Sequence, residues 1–395
     1  MERAPIIVPP PAEARPAERL ELPPLEPGDV RVALLLPLSG RLGDIGKGML
    51  NAAQMALFDV AGDHLQLVPY DTGDSPDGAQ AAAKKAVANQ VSLILGPLLA
   101  TSTRAVRPVA KAANVPVISF SSDRKVGGDG VYVIGFTPEA EVERVMTYAA
   151  DSGANRFVVL GPKDTYGDTV ATAAKKTAKE RNLVLVRVEL YDPKTTNFAL
   201  LIERLRAAPS SQPQPLPAPP VAGAQPAGLP DVAPLPPPAF DAVLIADGGD
   251  RLRQLASQLA AKGLGPDRVR VLGTGAWDEP ALAKEAALAG AWIAAPEPSF
   301  RVEFEQRYQQ LFGKPPPRLA TLGYDSTALA AVLVRDRGRE GATDAWLTNP
   351  DGFFGRDGLF RLMPEGYADR RLAILQIGGD HAGIVSEAPR RFVGF

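Results

Sequence analysis

The chain has 395 residues, 45% hydrophobic and 22% charged, proportions ordinary for a soluble globular protein and a length that favours two or three domains. Lys and Arg (43) nearly balance Asp and Glu (45), which excludes the broad positive field of a nucleic-acid binder. The absence of cysteine excludes disulfides and thiolate chemistry, and with His64 and His381 the only histidines the sequence argues against a histidine-rich metal site or a histidine triad.

Met1, Glu2 and Arg3 are followed by no apolar h-region before Pro9, so no signal peptide is read. Either the protein is cytoplasmic or the chain begins after processing, and we favour the second. Residues 1–28 hold eight prolines and residues 209–238 hold twelve. Proline lacks an amide donor and fixes φ, so both stretches read as extended linkers or loops. A PxxP-type ligand for a partner is the other reading of them.

Between these segments strand and helix alternate. The run 30–36, VRVALLL, is a continuous apolar run but for Arg31, as expected of a strand covered on both faces. A helix over 44–60 follows, then strand 65–70, helix 77–89, strand 91–95, helix 102–113 and strands 117–120 and 131–134. This βαβ succession implies a parallel sheet with helices on both faces. A second series starts at Thr137, a good N-cap, with Pro138 in the first helical position and Glu139 and Glu141 complementing the dipole. Strand 157–160, helix 167–181, strand 183–190, helix 197–207, strand 242–245, helix 251–263 and strand 269–272 continue it. The tail reads as helices over 300–312 and 323–335 and a hairpin of strands 359–362 and 373–377.

Two similar α/β halves in series place a cleft between two lobes, at the carboxyl ends of the strands. Leu36-Pro37-Leu38-Ser39-Gly40 ends the first strand, and Gly46-Lys47 nearby invites a phosphate-loop reading. That pattern needs glycine at 41 and Ser or Thr at 48, where Arg41 and Gly48 stand. Ser39 and Gly40 read better as a turn that offers a hydroxyl and amides to an anion, or as simple turn chemistry. Ser122-Asp123-Arg124-Lys125 spells S-x-x-K, but its companions S-D-N and K-T-G are absent. Ser119, Ser121 and Ser122 therefore read as cleft hydroxyls rather than nucleophiles. Tyr166 offers a ring and hydroxyl from the second lobe. Thr274, Trp277 and Asp278 follow the strand at 269–272, with Trp277 equally readable as a packed loop residue.

Taken together, Leu36–Gly40, Leu95-Gly96-Pro97, Val117-Ile118-Ser119, Asp164-Thr165-Tyr166-Gly167 and Gly323-Tyr324-Asp325 resemble the leucine/isoleucine/valine-binding periplasmic proteins. The resemblance spans about 29–207 and 240–395. It implies the type I periplasmic binding protein fold, an α/β class of two lobes, each with a parallel sheet flanked by helices, joined by hinge crossings. The lobes are expected at 29–137 plus 298–354 and at 138–297 plus 355–395, with 209–238 an insertion in the second. Ligand contacts are expected at Ser39, Gly40, Pro97, Leu98, Ser119, Ser121, Ser122, Tyr166, Thr274, Trp277 and Asp278.

Two roles compete within the resemblance, neither of them an enzyme and neither with a cofactor or metal. Leu34–Gly40, Gly96-Pro97-Leu98-Leu99 and Gly355–Arg361 look like the lipoprotein activators of penicillin-binding proteins, regulators of peptidoglycan synthesis. That reading comes first and predicts a cell-wall synthase partner, with a possible outer-membrane tether. The alternative is a solute-binding receptor for branched-chain or other amino acids serving an ABC permease. Both imply the periplasm. Leu98, Leu99 and Ala100 stand where amino-acid binders carry a serine, and only Asp278 stands near the expected second-lobe glutamate.

Overall fold

The computed structural model describes residues 22–60, 62, 64–207, 237–278, 280–378 and 382–392. Most of both proline-rich segments (1–21 and 208–236) therefore lies outside the described residues.

Every residue of β1 (Val30–Leu36) is buried. Val30, Val32, Leu34 and Leu36 enter one core, and Ala33 and Leu35 enter the other. Such a strand belongs inside a parallel sheet, and β1 pairs parallel with β2 (Leu65–Asp71) and β3 (Leu93–Leu95). With β4 (Val117–Ser119) and β5 (Val131–Val133) the order is β2-β1-β3-β4-β5. Between these strands run α1 (Gly43–Val60), α2 (Pro76–Ala88) and α3 (Ala100–Ala112). Met49 and Ala53 of α1 cover one face, while Ala79 and Ala83 of α2 and Val106 of α3 cover the other.

The chain then crosses to a second sheet through α4 (Pro138–Asp151), β6 (Arg156–Pro162), α5 (Thr165–Glu180) and β7 (Val184–Tyr191). It continues with α6 (Ala199–Arg206), β8 (Ala242–Ile245), α7 (Gly249–Ala261), β9 (Arg270–Gly273), α8 (Pro280–Ala283) and β10 (Trp292–Ala295). It returns to the first core as α9 (Val302–Phe312), α10 (Ala320–Arg337) and α11 (Asp344–Leu347). A small antiparallel sheet of β11 (Phe353–Gly355), β12 (Gly358–Leu362) and β13 (Ala368–Arg370) follows. β14 (Ala373–Gln376) and β15 (Gly383–Ser386) complete the second sheet, ordered β15-β14-β10-β9-β8-β6-β7.

Three expectations change. The strands at 359–362 and 373–377 do not form a hairpin: β12 pairs with β11 and β13, and β14 pairs with β10 and β15. The partner that captures β14 is β10, whose WIAA sequence is short and alanine-rich and carries little strand signal. Phe360, Leu362 and Ala368 pack in the first core, so the last crossing to the second sheet lies beyond Arg370. Thr137 does occupy the N-cap position of α4, but its side chain does not cap the helix. Its Oγ1 accepts instead from Arg124 Nε at 3.0 Å, joining the crossing segment to the first lobe.

Candidate functional site

The first-lobe turn folds on its own carboxylates. Asp71 Oδ1 accepts from the amides of Leu38 (2.9 Å), Ser39 (3.3 Å) and Gly73 (2.8 Å). Partial burial opposes ionisation of Asp71, yet hydrogen bonds from Ser39, Gly73 and Leu38 hold its carboxyl below the usual range. Asp74 takes the amides of Arg41 (2.5 Å) and Leu42 (3.3 Å). The amides expected to meet an anion beside Ser39 and Gly40 are therefore occupied from within the chain.

Pro97 and Leu98 are buried, Leu98 in the first core. Ser119 is fully buried, its Oγ 2.7 Å from Thr103 Oγ1 and 3.2 Å from the Pro97 carbonyl oxygen. Ser121 is buried and accepts from the Asp123 amide at 3.1 Å. The Ser119 hydroxyl ties the ends of β3 and β4 together and that of Ser121 holds its own turn, because a buried hydroxyl left unpaired is costly.

Trp277 packs in the second core with no exposure, its Nε1 donating to the Asp247 carbonyl at 2.7 Å. The packed reading holds, and the indole does not face the cleft. Thr274, equally buried, stands 2.6 Å from the Tyr166 hydroxyl and braces that ring.

A cavity of 310 Å³ remains between the lobes, and Ser122, Tyr166 and Asp278 are the expected residues that line it. Two crossing segments contribute Phe136 and Pro138 on one strand of the hinge and Ala295 and Pro296 on the other. Two further charged residues complete the wall. Glu141, on the first turn of α4, accepts from the Gly275 amide at 3.0 Å and is 7% exposed. Burial pushes its carboxyl up from 4.5 to about 8, against the Gly275 hydrogen bond and the charge of Arg318. Arg318, just before α10, puts Nη2 3.0 Å from Asp357 and Nε 3.5 Å from Asp278, with its guanidinium over the Phe136 ring. Asp278 is also held by Arg301 at 3.0 Å. Glu141 reads in the sequence only as a dipole-complementing residue and Arg318 carries no signal there. Their approach requires the two lobes to meet.

The site thus sets a positive side chain from the first lobe and an acid from the second around one small cavity. Among the described residues no group of His, Cys, Asp and Glu could hold a metal ion.

The family model "Periplasmic binding protein" matches residues 29–352. Among curated proteins, an uncharacterized protein of Rickettsia prowazekii is 27% identical over 42% of this chain and 44% of its own length. The Leu/Ile/Val-binding protein of Escherichia coli is 23% identical over 45% of this chain and 52% of its own. The chain thus spans about half the length of the curated relatives it matches. Among solved structures, a branched chain amino acid ABC transporter periplasmic ligand-binding protein of Burkholderia xenovorans superposes with TM-score 0.71 at 17% identity, covering 91% of this chain and 96% of that one. The branched-chain amino acid transporter substrate binding protein of Streptococcus pneumoniae, in complex with isoleucine, gives 0.61 at 15%, covering 91% and 99%. A solute binding protein of R. palustris in complex with benzoate gives 0.62 at 15%, covering 93% and 98%. These likenesses establish the fold.

Proposed function

Because the chain belongs to the periplasmic binding protein family, we propose that it is a solute-binding receptor that closes its lobes on a small amino-acid-like carboxylate and serves an ABC permease. The observation that carries this reading is the pairing of Arg318 and Glu141 around the 310 Å³ cavity. A cavity this small suits a ligand of amino-acid size.

Arg318 supplies the charge for a ligand carboxylate, with the Ser122 hydroxyl on the same first-lobe side. Asp278 can yield its share of Arg318 because Arg301 keeps it paired. Glu141 supplies the counter-charge for an ammonium, and the ammonium would draw its proton off. Tyr166, braced by Thr274, closes the second-lobe side. Binding that bridges both walls favours the closed arrangement by its differential affinity alone. We take the lobes as meeting at 137/138 and 297/298, with the last crossing at Arg371 and Leu372.

Of the two roles left open by the sequence, the relatives support the receptor: those with a stated role are named for solute or amino-acid binding. The activator reading keeps only its sequence segments. Among the described residues no helix is long and apolar enough to cross a membrane.

The test is thermal melting of the full chain against the twenty amino acids and simple carboxylates. A ligand at 100 times its dissociation constant adds about 2.7 kcal/mol, a rise of several degrees. A rise that Arg318→Met abolishes supports the proposal. No rise with any of them overturns it and returns the weight to a protein partner.

A further inference from the structure

We propose that a second pocket, bridging the lobes on another stripe of α4, binds a phosphate-type oxyanion. α4 presents Pro138 and Glu141 to the cleft and Ala140, Glu143, Arg144 and Thr147 to this pocket. Spacings of three and four residues define one helix stripe, so the two cavities lie against different sides of the same helix.

The pocket measures 370 Å³ and draws walls from both lobes. Arg124 comes from the loop after β4, Lys176 from α5, Tyr367 from the turn before β13, and Arg371 from the last crossing. With Arg144, four cationic side chains line it beside two carboxylates, Glu143 and Asp369; Arg370 also borders it, but its guanidinium lies by the Phe136 and Phe360 rings, 5.0 Å from each. Such an excess in a concave, partly desolvated site raises the local concentration of anions.

One observation goes beyond the charge excess. Arg371 Nε is buried without a hydrogen-bond partner, although its Nη2 approaches Asp369 at 3.7 Å. A buried donor of this kind calls for an acceptor. The remaining cations are held in place by other contacts. Arg144 donates to the Leu372 carbonyl and to Ser386 Oγ, both at 2.9 Å, and Arg124 stacks on Tyr367 at 4.3 Å. A compact oxyanion with several acceptor oxygens matches that donor set. The proposal does not depend on what the interlobe cleft binds.

The experiment titrates the full chain into inorganic phosphate, followed by phosphorus NMR, with sodium chloride matching the ionic strength throughout. The expected result is a saturable shift or broadening that matched chloride does not remove. Thr147→Glu, which adds a carboxylate at the wall, should weaken it at least ten-fold. If that variant fails to fold, Lys176→Ala serves instead, since Lys176 is exposed and pairs with Glu180 only at 3.7 Å; a loss of three-fold or more is expected. Competition by glycerol phosphate but not by phosphatidylglycerol vesicles assigns a free solute, and competition by both assigns a lipid headgroup; either supports the pocket. No saturable signal, or one that neither variant changes, overturns it.

Discussion

Arg318 Nε stands 3.5 Å from Asp278 Oδ2, so a side chain from just before a first-lobe helix meets the loop after a second-lobe strand. The same guanidinium reaches Asp357, whose side chain has no exposure. One residue therefore ties the lobes together and neutralises a buried acid. Removing one partner of a buried pair costs about 3–5 kcal/mol, so Arg318→Met should lower the urea midpoint by a corresponding amount. Asp278→Asn should cost less, because Asp278 is 13% exposed and Arg301 remains beside it. A double-mutant cycle of the two should show a coupling of about 1 kcal/mol; zero coupling would mean that the lobes do not meet through this pair.

Glu141 predicts a pH dependence. Its folded value of about 8 lies above the ordinary 4.5, so between them the folded state binds more protons than the unfolded one. Stability therefore falls as pH rises through that window and levels off above it. Burial and the charge of Asp357 also push Asp325 up, with the same sign, whereas Asp357, against its own burial, is held low by Arg318 and Arg370 and acts oppositely. Comparing wild type with Glu141→Gln isolates the first contribution. The stability of the wild type relative to the variant should decline by a few kcal/mol between about pH 5 and pH 8, measured by urea unfolding; parallel curves would remove Glu141 from the account.

If an ammonium-bearing ligand pairs with Glu141, its binding near pH 7 should release close to one proton, because the carboxyl is mostly protonated beforehand. Calorimetry in two buffers of different ionisation enthalpy reads that number directly. Glu141→Gln should abolish the release and weaken binding.

Trp277→Ala should act on stability. The ring is fully buried in the second core, and truncation of a buried Trp costs about 3–5 kcal/mol. A thermal melt should show the loss, while any ligand affinity measured well below the new midpoint should change far less than for Arg318→Met.

Gly167 marks a tight joint. A Cβ there would lie 1.9 Å from the Pro162 carbonyl oxygen, and its amide is held by Asp164 Oδ1 at 2.9 Å. The first lobe repeats the device, with a Cβ on Gly46 reaching 2.0 Å from the Pro37 carbonyl oxygen. Gly167→Ala and Gly46→Ala should each destabilise by about 1–3 kcal/mol or more through overpacking, read as a lower melting temperature.

The repeating strands and helices were legible because periodicity reports burial. The run Val30–Leu36 is apolar but for Arg31, and its central, two-faced position follows from the five consecutive apolar residues after it. Pro138 opening α4 was equally local, since a helix start is set by residues within one turn. The family resemblance rested on such short motifs kept in order. Other features depended on partners distant in the chain. Strand β10 is four residues long and becomes visible only where β9 and β14 receive it. Whether Trp277 packs inward, whether Asp71 and Asp74 close the first turn, and whether Glu141 faces Arg318 are decided by contacts across many tens of residues. A one-dimensional pattern records which residues prefer to be buried; the charges and distances that make a site arise only when two lobes bring their surfaces together.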